Sequence, residues 1–130
     1  MIVVDASAMV EALVGRDADG DLLDALAGDL HAPHLIDVEV LAAVRSLLLG
    51  GKLDGALAEQ ARLNHFSFAI ERHDIAPLSD RIWALRHQFT AYDATYVALA
   101  EALGAPLFTC DGKLVSGAHS ADVRVLPRSR

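Results

Sequence analysis

Apolar and polar positions along this chain fall into blocks with two different periods. "IVV" at 2–4 is a short β-branched run and reads as a buried strand. "SAMVEALV" then follows at helical spacing, with Ser7 as its N-cap. "DADGDLLDALAGD" is acidic first and apolar later, which predicts a second helix from about Asp19 to Gly28. "LHAP" at 30–33 is a brief extended stretch ended by proline. "HLIDVEVLAAVRSLLLGG" is a long helix stopped by Gly50 and Gly51, and "LDGALAEQARLNHFSF" is another, loosened at Gly55. "AIERHD" is a short strand, and Pro77 opens a helix that runs to about Phe89. "YDATYVALAEALGA" is a helix closed by Gly104. "PLFTC" is a strand, "DG" a turn, "VRVL" a last strand and "PRSR" a frayed basic tail.

Strands alternate with helices throughout. That order calls for an α/β fold, a three-layer α/β/α sandwich around a central, mainly parallel sheet. A length of 130 residues, without linker or repeat, fits a single domain over 1–130. With 53% hydrophobic and 22% charged residues the chain can bury a core. Aromatics are only 5%, so Ala, Leu and Val carry the packing.

Charge narrows the function. Eleven basic residues against eighteen acidic ones give a formal net charge of -7. Such a chain does not bind nucleic acid by bulk electrostatics. If it acts on nucleic acid, a divalent cation must screen its carboxylates locally. No apolar run approaches the roughly 20 residues of a membrane span. The start lacks the basic region of a signal peptide, and the single cysteine, Cys110, rules out an internal disulfide. The expected compartment is a reducing cytoplasm.

Four carboxylates stand out. Asp5 and Asp111 each trail an apolar strand, and ligands of open parallel sheets bind outside the carboxyl ends of strands. Each also has a plain structural use, Asp5 as a helix cap and Asp111 in an Asp-Gly turn. Glu39 sits on its helix among Leu35, Ile36, Ala42 and Ala43, away from the face of His34, Asp37 and Arg45. A carboxylate so placed needs an arginine, a shared proton or a metal. Asp93 falls in the first turn of its helix, where the dipole favours an acid and Thr90 can cap. Together these are hard oxygen donors, which select Mg²⁺ or Mn²⁺ over zinc. His31, His34, His65, His73, His87 and His119 show no metal-ligand spacing and read as surface or packing residues. Cys110 reads as a strand-end thiol.

"IVVDASAMVEAL", "PHLIDVEVLAAVRSLL" and "YDATYVALAEALGAPLFTCDGKL", in that order, resemble the PIN domain, specifically the ribonuclease toxins of bacterial VapBC toxin–antitoxin systems. The likeness covers nearly the whole chain. By resemblance, Asp5, Glu39, Asp93 and Asp111 match the acidic active-site positions. Ser7 matches the small hydroxyl residue after the first Asp, and Thr109 the threonine of the last T-x-D motif. The family implies Mg²⁺- or Mn²⁺-dependent endonucleolytic cleavage of RNA, a homodimer, and a cognate VapB-type antitoxin whose C-terminal segment covers the site. On this reading Asp5 and Asp93 are the main metal ligands, Asp111 and Glu39 complete the set, and Ser7 and Thr109 hold the carboxylates. Arg16, Arg45 and Lys113 are the basic residues near the motifs. "LNHFSFAI" and Trp83 read as core, with a dimer or antitoxin groove as the other use.

Two rivals remain at this point. One is a phosphoryl-transfer domain that uses Asp5, either a receiver or a haloacid-dehalogenase-like phosphatase. The phosphatase wants a second Asp where Ser7 stands, and the receiver wants adjacent acids near the first strand. The other is a non-catalytic binding module of the same fold.

Overall fold

The computed structural model describes residues 1–129. Five short strands form one sheet: β1 Ile2–Val4, β2 Leu30–Pro33, β3 Ile70–His73, β4 Leu107–Thr109 and β5 Val123–Val125. Their order is β3-β2-β1-β4-β5, and every neighbouring pair is parallel. Six helices join them: α1 Ala6–Val14, α2 Gly20–Leu26, α3 Leu35–Leu49, α4 Gly55–Ser67, α5 Ser79–Ala84 and α6 Ala91–Leu103.

The chain enters at the middle of the sheet. From β1 it steps outward to β2 and β3, then crosses back to β4 and β5 on the other side of β1. Right-handed crossovers put α1–α4 on one face, and the reversal of direction puts α5 and α6 on the other. Packing agrees, since α1, α3 and α4 touch one another while α5 lies on α6. The result is the expected α/β/α sandwich, with a sheet that is wholly parallel.

The core lies between these layers, with Met9, Leu22, Ile36, Leu85, Leu107 and Leu114 fully enclosed. Ala94 through Ala100 of α6 are all buried, so this helix is covered on every side over two turns. Its ends are set locally. Thr90 Oγ1 accepts from the Asp93 backbone N–H at 3.2 Å, and Gly104 closes the helix at φ 61°, a left-handed conformation that suits glycine.

Several boundaries differ from the sequence reading. Asp5, not Ser7, caps α1, because its Oδ1 accepts from the Ala8 N–H at 2.9 Å. Asp54 caps α4, so Gly55 starts that helix rather than loosening it. The helix after Pro77 ends at Ala84, five residues short. Beyond it the backbone pairs in three-residue turns, Leu85 N–H to the Ile82 carbonyl and Arg86 N–H to the Trp83 carbonyl, and the Arg86 side chain also donates to that carbonyl at 2.8 Å. Trp83 itself is 68% exposed, and Leu63 and Phe66 are exposed as well, so these are not core residues. The short α5 leaves the indole on the surface, where the Arg86 guanidinium covers it at 5.0 Å. Ser129, in the tail read as frayed, is anchored, while Arg130 lies outside the described residues. The Ser129 N–H donates to the buried Glu11 carboxylate at 2.8 Å, and its Oγ accepts from the Asp17 N–H. A carboxylate so enclosed requires donors, and the tail supplies them.

Candidate active site

The direction of the chain reverses between β1 and β4, and that gap is the switch point of the sheet. Val4 pairs with Phe108, which sets Asp5 beside Thr109 at the two carboxyl ends. Asp5 is only 6% exposed, yet three donors meet it. Its Oδ1 accepts from Ser7 Oγ at 2.7 Å and from the Ala8 N–H. Its Oδ2 accepts from Thr109 Oγ1 at 2.5 Å. Both hydroxyls also accept, Ser7 from the Cys110 N–H and Thr109 from the Asp111 N–H, each at 2.9 Å. Since each hydroxyl has spent its one proton on Asp5, their own 3.3 Å approach adds little. Ser7 and Thr109 thus tie the first carboxylate to the loop that carries Asp111. A carboxylate has about four lone-pair positions, so Asp5 keeps one acceptor site free.

Glu39 lies half-buried in the second turn of α3. Its partner is none of the three expected kinds. Tyr96 on α6 donates its hydroxyl to Glu39 Oε1 at 2.7 Å. Asp93, one turn earlier on α6, is also half-buried. Asp111 caps the short 3₁₀ turn Gly112–Leu114 through the Lys113 N–H at 3.0 Å. The Lys113 ammonium is 3.7 Å from Asp111 and largely exposed, so this is a weak surface pair.

Three of these carboxylates, Asp5, Glu39 and Asp93, are shifted by burial and by neighbouring charge. Asp5 is pushed above the usual carboxylate range by burial, against its hydrogen bonds to Thr109, Ala8 and Ser7, and Asp93 adds to the rise. Burial likewise raises Glu39, with further contributions from Asp5 and Asp93 that outweigh the bond from Tyr96. Asp93 is raised by burial and then by Asp111, while Lys113 and Thr90 pull the other way. Asp5, Glu39 and Asp93 form no ion pair with any described arginine or lysine. Carboxylates compensated only by one exposed lysine at the edge of the set, all with oxygen donors, suit a hard divalent cation. Among the described residues no three of them bring oxygens within 4.8 Å of one another.

The remaining candidates separate. Lys113 shares a groove with Phe89, Thr90 and Asp93 beside the acids. Arg16 and Arg45 are exposed on loop and helix. Arg128, which the sequence reading passed over, lines a cleft with Ser7, Val10 and Glu11. Asp37 does not group with His34 and Arg45; Arg72 grips it with two bonds of 2.8 and 2.9 Å, and the buried His65 adds a third. Tyr96 is the main residue missed. It lies three positions after Asp93, hence on the same helical face, and that spacing was the available signal. Burial and the charge of Glu39 push its phenol far up, so it stays a donor.

Comparison with known proteins fits this arrangement. The family model for the PIN domain matches residues 2–119. VapC ribonuclease Mb0985 of Mycobacterium bovis is 40% identical over 130 residues, covering 98% of this chain and 100% of its own. Two solved structures share the fold. Mycobacterium tuberculosis VapC20, described as a sarcin-ricin loop cleaving toxin, superposes with a TM-score of 0.67 at 18% identity, over 95% of this chain and 99% of its own. A toxin–antitoxin complex from Klebsiella pneumoniae gives 0.69 at 17% identity, over 95% and 96%. With a domain model spanning most of its length and a VapC ribonuclease aligned end to end, this chain belongs to the PIN-domain family, in its VapC branch.

Proposed function

We propose that this chain is a metal-dependent endoribonuclease, the toxin of a type II toxin–antitoxin pair, acting in the cytoplasm as one PIN domain over its whole length. The observation that carries this reading is a set of carboxylates at the switch point, in which Asp5, Glu39 and Asp93 are raised by burial and neighbouring negative charge and form no ion pair, with Asp111 beside them at the end of β4. Asp5 and Asp93 are assigned as the main ligands of Mg²⁺ or Mn²⁺, with Glu39 and Asp111 completing the set. When bound, such a cation makes water a better nucleophile and stabilises charge on the phosphate and leaving oxygen.

The rest is the work of the chain. Ser7 and Thr109 hold the Asp5 carboxylate against rotation, and Tyr96 does the same for Glu39. Lys113, with Arg16 and Arg45, offers positive charge to the RNA backbone, which a net charge of -7 otherwise repels. The assigned partners are RNA, a cognate VapB-type antitoxin and a second copy of the chain. VapC20, a sarcin-ricin loop cleaving toxin, supports the first in kind, and the Klebsiella toxin–antitoxin complex the second. The phosphoryl-transfer rival needs an accessible nucleophile, and a 6% exposed Asp5 with three donors on it is poorly placed for that role.

The test is cleavage of structured RNA by antitoxin-free protein with Mg²⁺ or Mn²⁺, beside Asp5→Asn and a chelator control. Wild type should cut, and both controls should abolish cutting. Equal cleavage by wild type and Asp5→Asn would remove the proposal.

A further inference from the structure

Away from the acids, two adjacent strands bring a second set of donors together. In the β2–β3 register His31 stands opposite Glu71, and Pro33 opposite His73. Side chains alternate along a strand, so His31, Glu71 and His73 share one face of the sheet. One ligand atom from each lies within 4.8 Å of the other two, and among the described residues this group alone does so. His31 Nδ1 is 2.8 Å from His73 Nε2 and 3.6 Å from Glu71 Oε2.

The His31 ring is oriented from behind. Its Nε2 lies 3.1 Å from Asp29 Oδ1. A neutral ring that donates there keeps its Nδ1 lone pair directed at His73 and Glu71. Metal-bound histidines show this same division, one nitrogen on the ion and the other on a carboxylate. The side chain is 8% exposed, so packing fixes that orientation. Glu71, by contrast, is 67% exposed and leaves a path for an ion from solvent.

We propose that His31, Glu71 and His73 bind a zinc-class divalent cation that clips the edge strand β3 to β2. Two imidazoles with one carboxylate select Zn²⁺ and its neighbours over Mg²⁺. Ligand bonds of about 2.0–2.2 Å place tetrahedral ligand atoms roughly 3.3 Å apart. The observed separations of 2.8 and 3.6 Å bracket that spacing. Entry of the ion replaces the ring–ring hydrogen bond, and the His73 proton moves from Nε2 to Nδ1. Water takes the fourth position. The site lies on β2 and the edge strand β3, whereas Asp5 and Asp111 follow β1 and β4, so the assigned role is structural. The edge strand pairs with a neighbour on one side only, and a metal clip holds it in register.

Metal-stripped full-length protein tests this, with Zn²⁺ titrated against a chromogenic chelator in excess Mg²⁺ and Co²⁺ as a visible probe. Glu71→Gln, His73→Gln and the double variant Asp5→Asn/Asp93→Asn are run beside wild type, with circular dichroism as a check on folding. Glu71 and His73 are not fully buried, so their variants are expected to fold. Wild type should take a single zinc ion per chain, show the intense Co²⁺ band of a four-coordinate site and gain Tm. Affinity should fall by about tenfold or more in each strand variant and stay unchanged in the acid double variant. Absence of binding at micromolar Zn²⁺ overturns the proposal. Wild-type affinity in both strand variants, or loss confined to the acid double variant, overturns it equally.

Discussion

The Tyr96 hydroxyl donates to Glu39 Oε1 across 2.7 Å and joins α6 to α3 over the candidate active site. The pairing is one-directional. Burial and the neighbouring negative charge keep the phenol protonated, so Tyr96 can only donate to Glu39. The bond lowers the Glu39 pKa against burial and against the charges of Asp5 and Asp93, and the net result is still a raised value.

Tyr96→Phe removes that one opposing contribution. Glu39 should then hold its proton to higher pH, and the acid limb of the pH–rate profile for RNA cleavage should move upward. On that limb the rate should fall by about tenfold, the scale typical of residues that support a ligand. Folding stability should drop by about 1 kcal/mol, the worth of one buried hydrogen bond. Initial rates across pH, with thermal melts of the same samples, separate the two effects. An unmoved pH profile would disconnect Glu39 from the reaction.

How much of this the sequence discloses depends on how local the cause is. The strand–helix alternation foretells the parallel sheet, because β-branched runs and apolar helical spacing are properties of short windows. The gathering of Asp5 and Asp111 at one edge is legible too, since both trail strands that the topology makes neighbours. Glu39 and Tyr96 are 57 residues apart, and nothing local announces their bond. The histidines mislead for a related reason. His31 and His73 have no ligand spacing along the chain, and only the β2–β3 register sets them together. The error at Trp83 arises from an early helix stop, where the backbone changes to three-residue turns after Ala84 and leaves the indole exposed.

Asp93→Asn should abolish cleavage yet stabilise the metal-free protein at neutral pH. The folded pKa of Asp93 is raised, chiefly by burial and then by Asp111. A raised acid contributes stability below its unfolded pKa, and that contribution is lost as pH rises through the folded value. At pH 7 the ionised group is therefore a liability, which the amide removes. The Tm of the variant should exceed that of wild type in chelator. The gap should narrow at low pH, where wild type is protonated, and in Mg²⁺, which neutralises the cluster. A lower Tm for Asp93→Asn in chelator would show that repulsion is not the governing term.

The Arg81–Glu101 pair should show the opposite pH sign. Arg81 grips Glu101 at 2.7 and 3.0 Å, and the Ser120 N–H adds a bond of 2.9 Å to the same carboxylate. Together they hold Glu101 down at about 2, with the Arg81 bond as the largest cause. A depressed acid contributes stability above its unfolded pKa, and that stability is lost as pH falls through the folded value. Because Arg81 is 41% exposed, solvent screening limits the pair, and Arg81→Ala should cost about 1 kcal/mol. Denaturant melts should show this difference at pH 7 and show it vanish toward pH 2.

Thr109→Val tests whether the Asp5 carboxylate needs its hydroxyl anchors. Thr109 is fully buried, and valine matches its shape. The substitution deletes the donor to Asp5 Oδ2 and the acceptor of the Asp111 N–H in one step. The buried Asp5 carboxylate and the part-buried Asp111 N–H then each lose a partner, which should cost about 2 kcal/mol of stability. The Thr109 bond is the largest influence that lowers the Asp5 pKa, so its loss should leave Asp5 protonated to higher pH and weaken Mg²⁺ binding. Thr109→Ser keeps the hydroxyl and should restore both metal affinity and cleavage while losing only the methyl group's packing. If serine and valine prove equally inactive, the threonine matters for its shape and not for the proton it gives to Asp5.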